Sequence, residues 1–298
     1  PWLLQRLTEI GSKIEATISH IDPNLELNKA KSCHLSIQVN LDGFSFAILN
    51  LQEQKYIALE HYDIKNSTSY SDLAEQIDLI INKQQLLQQN FVSTSIGIAH
   101  TFNTLTPKAL YEEENGKEIL AFNHVLLKNE RETRDWIQSI QAYNSYFIPE
   151  ELERCFNKYF KSILWKHDSS ILIESLIHQF KLHEGERVYI SIQNKSFEIT
   201  ILENKHLKFF NSFSYKAAED LIYYLLFTYE QLNLNPDQTP LIISGEIEED
   251  SEVYKLLYKY IRNISFTKRN PNYNYSFVFD QTKEHFYYKL LNQHLCVS

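Results

Sequence analysis

The run His34-Leu-Ser-Ile-Gln-Val-Asn-Leu-Asp-Gly-Phe-Ser-Phe-Ala-Ile-Leu-Asn50 alternates apolar and polar side chains on both sides of an Asp-Gly dipeptide. Alternation with a period of two marks a half-buried strand, and Asp-Gly suits the tight turn of a hairpin. A two-residue turn at Asp42-Gly43 pairs Leu41 with Phe44, Val39 with Phe46 and Ile37 with Ile48. All six apolar side chains then share one face, which predicts a hairpin with a single buried side. Whether Asp42-Gly43 is also a phosphate-binding loop is the question on which function turns.

The pattern returns in the second half. Val188, Ile190, Ile192, Phe197, Ile199 and Ile201 each lie 153 positions after Leu35, Ile37, Val39, Phe44, Phe46 and Ile48. The first hairpin is followed by a third strand, Lys55 to Tyr62, and by a helix capped at Ser71 with Leu73, Ile77, Ile80 and Ile81 in one stripe. A fourth strand spans Phe91 to His100. The second hairpin is followed by a strand from Lys205 to Tyr215, a helix from about Lys216 to Leu232 and a strand from Pro240 to Ser244. Three meander strands followed by strands alternating with helices predict a mixed α/β sheet of ribonuclease H-like type. The same order twice predicts internal duplication, and two such units in tandem make an actin-like architecture.

Three regions follow: residues 1–32, an amphipathic helix and linker; 33–183, the first repeat with an insertion; and 184–298, the second repeat. The leading helix is expected over residues 1–22, with Leu3, Leu7, Ile10 and Ile14 on one face and Asp22-Pro23 as its stop. Helix starts are expected at Pro107 and Pro149, each proline in the first turn. A further helix ends near Phe180, with Asp168 or Ser169 as its N-cap.

Composition narrows the function classes. A net charge of -9 argues against a nucleic-acid binder, which needs a basic face. The three cysteines, Cys33, Cys155 and Cys296, have neither disulfide-framework nor zinc-site spacing, so a reducing cytoplasm is expected. Leu221 to Phe227, the longest apolar run near a helix, falls far short of the roughly 20 residues that cross a bilayer, so no membrane insertion is expected. No histidine pair has the i, i+4 spacing of a helical zinc site, and no metal site is expected.

His167-Asp168-Ser169 holds the residue types of a hydrolytic triad, yet three adjacent residues cannot converge as a relay. A ribonuclease H-like nuclease needs metal-binding carboxylates inside the first and fourth strands, and neither Leu35 to Asn40 nor Phe91 to His100 contains one. No catalytic residue is therefore assigned. The acidic runs Glu112 to Glu114 and Glu246 to Asp250 read as solvated faces able to meet a basic partner.

The hairpin, the segment Thr104-Leu-Thr-Pro-Lys-Ala-Leu-Tyr111 and the segment Lys166-His-Asp-Ser-Ser-Ile-Leu-Ile-Glu174 together resemble an uncharacterised family of Bacteroidetes proteins, a domain of unknown function with an actin-like ATPase fold. The resemblance covers Cys33 to His294 and implies that fold without an activity. Among better-understood actin-like proteins, the type IV pilus cytoplasmic component, a scaffold that binds a peptide and a nucleotide, is the nearest analogy at fold level. The fold implies ATP between the repeats, its phosphates wrapped by the first turn of each.

Such a turn carries Asp-x-Gly, the carboxylate acting through magnesium-bound water and the glycine admitting backbone amides to phosphate. Val39-Asn-Leu-Asp-Gly43 does not restore that loop in either alignment, and the counterpart Gln193-Asn-Lys-Ser196 has no glycine. The adenosine loop is represented by Gly245 alone. The expectation is a vestigial nucleotide cleft formed by Asp42, Gly43 and Ser45 on one side and Gly245 on the other. ATP and magnesium are the alternative ligands to none at all. The leading functional expectation is a non-catalytic protein that binds an unknown protein or peptide. The alternative is a divergent nucleotide-binding protein or weak ATPase.

Overall fold

A computed structural model describes residues 15–64, 67–121 and 129–297. Its elements are β1 (Ile18–Ile21), β2 (Cys33–Asn40), β3 (Gly43–Asn50), β4 (Lys55–Asp63), α1 (Tyr70–Lys83), β5 (Ser93–Ile98), β6 (Asn103–Pro107), α2 (Gly116–Ala121), β7 (Glu130–Ile137), β8 (Ala142–Pro149), α3 (Glu150–Asn157), β9 (Ile163–His167), α4 (Asp168–Phe180), β10 (Glu186–Ile192), β11 (Ser196–Glu203), β12 (His206–Ser214), α5 (Ala218–Gln231), β13 (Leu241–Gly245), α6 (Glu252–Tyr260), β14 (Ile264–Phe266), β15 (Asn274–Tyr275) and α7 (Tyr288–Asn292). Among the described residues no helix is long and apolar enough to cross a membrane.

The strands form three sheets. The first has the order β1-β4-β3-β2-β5-β9 with β15 also on β4, the second β12-β11-β10-β13-β14, and the inserted third β6-β8-β7. In both large sheets an antiparallel meander is joined on one side by two parallel strands. That is the mixed order expected from the two hairpins. The agreement extends to detail, because β3–β4 and β11–β12 each shift register at the same point, after Ile48 and after Ile201.

The first hairpin corrects the expected pairing. Val39 lies opposite Phe44, Ile37 opposite Phe46 and Leu35 opposite Ile48, and Asn40 closes the ladder with Gly43. The two-residue loop is thus Leu41-Asp42, not Asp42-Gly43. Asn40 explains the difference: its Oδ1 accepts the Asp42 N–H at 3.0 Å, turning the chain one residue early. Pairing moves by two in the sum of partners, so the apolar face is kept, but Leu41 leaves it and is 40% exposed. The second hairpin follows the same pattern, Ile192 opposite Phe197 and Ile190 opposite Ile199.

Other expected boundaries move for identifiable reasons. Most of the leading helix lies outside the described residues. Its end, Ile18–Ile21, is a strand antiparallel to β4, where Ser19 Oγ donates to Glu60 Oε1 at 2.7 Å. Ser69 caps α1 in place of Ser71, accepting the Asp72 N–H at 3.1 Å, while Leu73, Ile77, Ile80 and Ile81 form the buried stripe as expected. Pro107 ends a strand and does not start an α-helix. β6 pairs with β8 alone, so the missing N–H of its last residue costs little there. Helix α4 is capped by neither Asp168 nor Ser169 but by the His167 imidazole, whose Nδ1 accepts the Ser169 N–H at 3.1 Å.

After β14 the chain returns to the first sheet. Tyr273, Val278, Phe279, Tyr287, Leu290 and Leu291 pack on Ala47, Leu49, Tyr56 and Leu59, and β15 pairs with β4. The second sheet of the region expected at 184–298 therefore ends at β14. Its tail brings α7 between the two halves, where it meets both.

One buried histidine makes this packing sensitive to acid. His34 is fully buried between Ser93 Oγ at 2.7 Å and Ser95 Oγ at 2.8 Å, with the His294 ring 4.9 Å away. Burial, with the His294 charge second, brings its pKa from 6.5 down to about 3. A depressed folded value means stability that is full above pH 6.5 and is lost as pH falls toward 3, because the unfolded chain binds a proton the native one refuses. The slope for one such group is about 1.4 kcal/mol per pH unit. Urea titrations at acid pH should show a dependence shallower by about one proton in His34→Gln than in the parent.

Candidate functional site

Between the two halves lies a cleft of about 440 Å³. The β2–β3 turn, β3 and β4 form one wall, the β10–β11 turn and the ends of β12 and β13 form the other, and Tyr287 to Lys289 close the base. Asp42, Gly43 and Ser45 from the first hairpin and Gly245, far along the sequence at the end of β13, all line it. The strand order explains their meeting: β13 runs parallel to β10, so Gly245 ends beside Ile192 at the second hairpin's turn, and that turn faces the first across the cleft.

The two turns are tied to one another. Asp42 Oδ1 lies 2.9 Å from the ammonium of Lys195, the residue 153 positions on that occupies the same place in the second hairpin. Both side chains are solvent-exposed, so the pair is weak in energy. Its geometric consequence is larger, since the two tips that would flank a phosphate already satisfy each other.

The base is a buried ionic network. Lys289 Nζ lies 2.8 Å from Asp168 Oδ2, on the first half, and 2.9 Å from Glu198 Oε2, on the second. Gln38 Nε2 donates to Asp168 Oδ2 at 2.7 Å and Gln193 Nε2 at 3.2 Å, while Ser169 Oγ donates to Glu198 Oε1 at 2.5 Å. Asp168 and Lys289 are almost wholly inaccessible. Burial pulls the Lys289 pKa down, but the Asp168 and Glu198 carboxylates outweigh it and hold the ammonium above the ordinary lysine range. A charged lysine thus bridges the halves at the floor of the cleft.

Ser45 belongs to a second chain of bonds that the sequence did not disclose. Its Oγ is 2.7 Å from His61 Nδ1, and His61 Nε2 is 3.1 Å from Asp63 Oδ1. Asp63 Oδ2 in turn accepts from Thr17 Oγ1 at 2.9 Å. The three meet because β3 places Ser45 directly opposite His61, with Asp63 two residues on and on the same face. The order serine, histidine, carboxylate invites comparison with a hydrolase. However, β3 is paired on both sides, so the backbone donors around Ser45 are committed to the sheet and form no oxyanion hole.

Both glycines have local steric explanations, a side chain for Gly43 and the backbone for Gly245. A Cβ at residue 43 would stand 3.0 Å from His61 Cε1. Gly245 has φ +99°, and a Cβ there would stand 2.0 Å from the Ile192 carbonyl oxygen. Its N–H donates to the His285 carbonyl at 2.9 Å, which fixes the exit of β13 against the C-terminal tail. His167, Asp168 and Ser169 do not act together: the histidine caps α4 and the other two join the ionic floor.

The charge of the cleft follows. Among its described lining residues, Asp42, Asp63 and Glu246 are acidic, Asp42 being paired with Lys195, and Lys289, the one lysine or arginine, is already matched by Asp168 and Glu198. A polyphosphate would enter against this field. Among the described residues no group of three His, Cys, Asp or Glu side chains is placed to hold a metal ion.

Besides His61 and Asp63, sequence reasoning missed Lys289 and Glu198. Nothing in Tyr287-Tyr-Lys289 marks a lysine for burial. Glu198 carried a signal: it stands at the place of Ser45 in the repeat, on the polar side of a strand whose other side is core.

Comparison with solved structures places this architecture. A protein of unknown function with an actin-like ATPase fold from Bacteroides thetaiotaomicron VPI-5482 superimposes with a TM-score of 0.76 at 24% identity, covering 92% of this chain and 99% of its own. A structure of the PilM-PilN type IV pilus biogenesis complex matches with a TM-score of 0.58 at 10% identity, covering 91% of this chain and 99% of its own. No curated protein matches the chain in sequence. A family model for a protein of unknown function, DUF3822, matches residues 22–264. With the matching strand order of the two large sheets, the cleft between them and that match together, the chain belongs to the DUF3822 family and has the actin-like ATPase fold.

Proposed function

We propose that this protein is a pseudo-ATPase: an internally duplicated, non-catalytic member of the actin-like fold that works in the cytoplasm by binding another protein. The observation that carries the reading is the floor of the cleft. Lys289 neutralises Asp168 and Glu198 there with an intramolecular charge, at 2.8 and 2.9 Å, and so couples the two halves without a ligand. The Asp42–Lys195 tie and the acidic walls act in the same direction, and the phosphate loops lack their glycines. The fold-level likeness to a protein seen in the PilM-PilN complex supports a protein partner for this chain.

Two contact surfaces fit: the cleft, and the leading segment with its apolar residues Leu3, Leu7 and Ile10. The cleft favours a partner segment of basic character, to meet Asp63 and Glu246. A tagged protein used as bait in native lysate should retain a specific partner that is lost on charge reversal at Glu246. A second bait lacking residues 1–14 tests the leading segment. Deletion must stop there, because Ile18–Ile21 is a strand of the first sheet. If both baits recover the same proteins as the parent, neither surface is the contact.

The alternative reading is a nucleotide in the cleft. It is favoured by the convergence of Asp42, Gly43, Ser45 and Gly245 on one cavity large enough for a small ligand. Thermal unfolding with and without magnesium-ATP decides between the two.

A further inference from the structure

The two halves differ at one edge. β4 and β12 are equivalent third strands, paired to β3 and β11 with the same register shift. The outer edge of β4 is covered by β1 over Ala58 to His61 and by β15 at Lys55 and Tyr56. β12 ends its sheet, no strand among the described residues pairs with its outer side, where the Ser212 N–H is donated to the neighbouring Asn211 Oδ1 at 2.9 Å, and none of its nine side chains is buried. Its one lysine, Lys208, sits at the bulge and is held by Glu186. From Phe209 to Ser214 the edge is uncharged and lacks proline. Such a strand is a template for another strand.

We propose that β12 pairs antiparallel with β12 of a second copy, about a two-fold axis passing between the two Asn211 residues. This register is self-complementary, as an isologous contact requires. It sets Phe209 against the second copy's Phe213, twice, on the face where α5 lies, and Phe210 against Ser212 on the other. Lys208 meets Ser214, so no like charges are opposed.

An independent observation selects a second copy of the chain as the occupant. Phe213 stacks on Tyr224 of α5 with centroids 4.8 Å apart, Tyr224 meets Tyr223 edge-on at 5.5 Å, and Tyr223 stacks on Phe227 at 6.1 Å. Tyr223 is 63% and Phe227 47% exposed. An aromatic stripe therefore runs from the strand edge onto open helix surface. Pairing of β12 with itself brings two α5 helices alongside, so each stripe covers the other and the two five-stranded sheets become one.

Sedimentation equilibrium of the full chain, from micromolar to hundreds of micromolar, should show a dimer. Tyr223→Glu should raise its dissociation constant about tenfold or more, with circular dichroism and melting unchanged. Directly opposed antiparallel residues have Cα atoms about 4.5–5.5 Å apart, within disulfide reach. In a Cys296→Ser background, which leaves only the buried Cys33 and Cys155, Asn211→Cys should therefore cross-link between copies under mild oxidation, whereas exposed Glu249→Cys and the background chain should not. A parent that stays monomeric throughout overturns the proposal. So does a dimer in which Asn211→Cys links no faster than Glu249→Cys.

Discussion

Replacing Lys289 by methionine is expected to destabilise the protein by about 3–5 kcal/mol, because it strands two buried carboxylates without their counter-ion. The side chain is 6% exposed, and Asp168 and Glu198 each lie within 2.9 Å of its ammonium. Gln38 and Gln193 still donate to Asp168, which moderates the loss without removing it. Urea unfolding followed by fluorescence measures it directly. The charge interpretation makes a second demand: Lys289→Met combined with Asp168→Asn and Glu198→Gln should recover most of the lost stability, since no unpaired charge is then buried. A single variant within about 1 kcal/mol of the parent would mean that the lysine is solvated and does not tie the halves together.

Gly245→Ala is expected to destabilise by about 3 kcal/mol or more, from two separate causes. At φ +99° a side chain is strained whatever the space around it, at roughly 1–3 kcal/mol. The added methyl also meets the backbone of Ile192 at 2.0 Å, which no rotamer change relieves, and overpacking of this kind adds roughly 1–3 kcal/mol. The loss should appear as a lower denaturant midpoint with an unchanged slope. This matters for function, because a glycine demanded by its own backbone is no evidence for an adenosine loop.

The fold was legible because both hairpins repeat the same apolar alternation at a fixed offset, and burial of one face fixes which side chains point inward. Pairing partners were less legible. The turn depends on the Asn40 side chain reaching the Asp42 N–H, a local hydrogen bond that competes with the preference of Asp-Gly for the turn centre. The cap of α4 escaped because His167, and not the better-known cappers Asp168 and Ser169, faces the free N–H. Asp42, Gly43, Ser45 and Gly245 line one cleft because the hairpin turns and the end of β13 meet there, a placement that follows from strand order. The placement of Lys289 does not, because it reaches the floor on a tail that leaves its own sheet and crosses to the other half. His61 and Asp63 became visible only with the β3–β4 register.

In the proposed reading the cleft is filled by the protein's own charges and does not hold nucleotide. Thermal unfolding with and without millimolar magnesium-ATP tests it most directly. The expected result is an unchanged midpoint in both the parent and Asp42→Ala. A ligand present at a hundred times its dissociation constant would add roughly 2.7 kcal/mol. A rise of several degrees in the parent, abolished by Asp42→Ala, would mean that the cleft binds nucleotide.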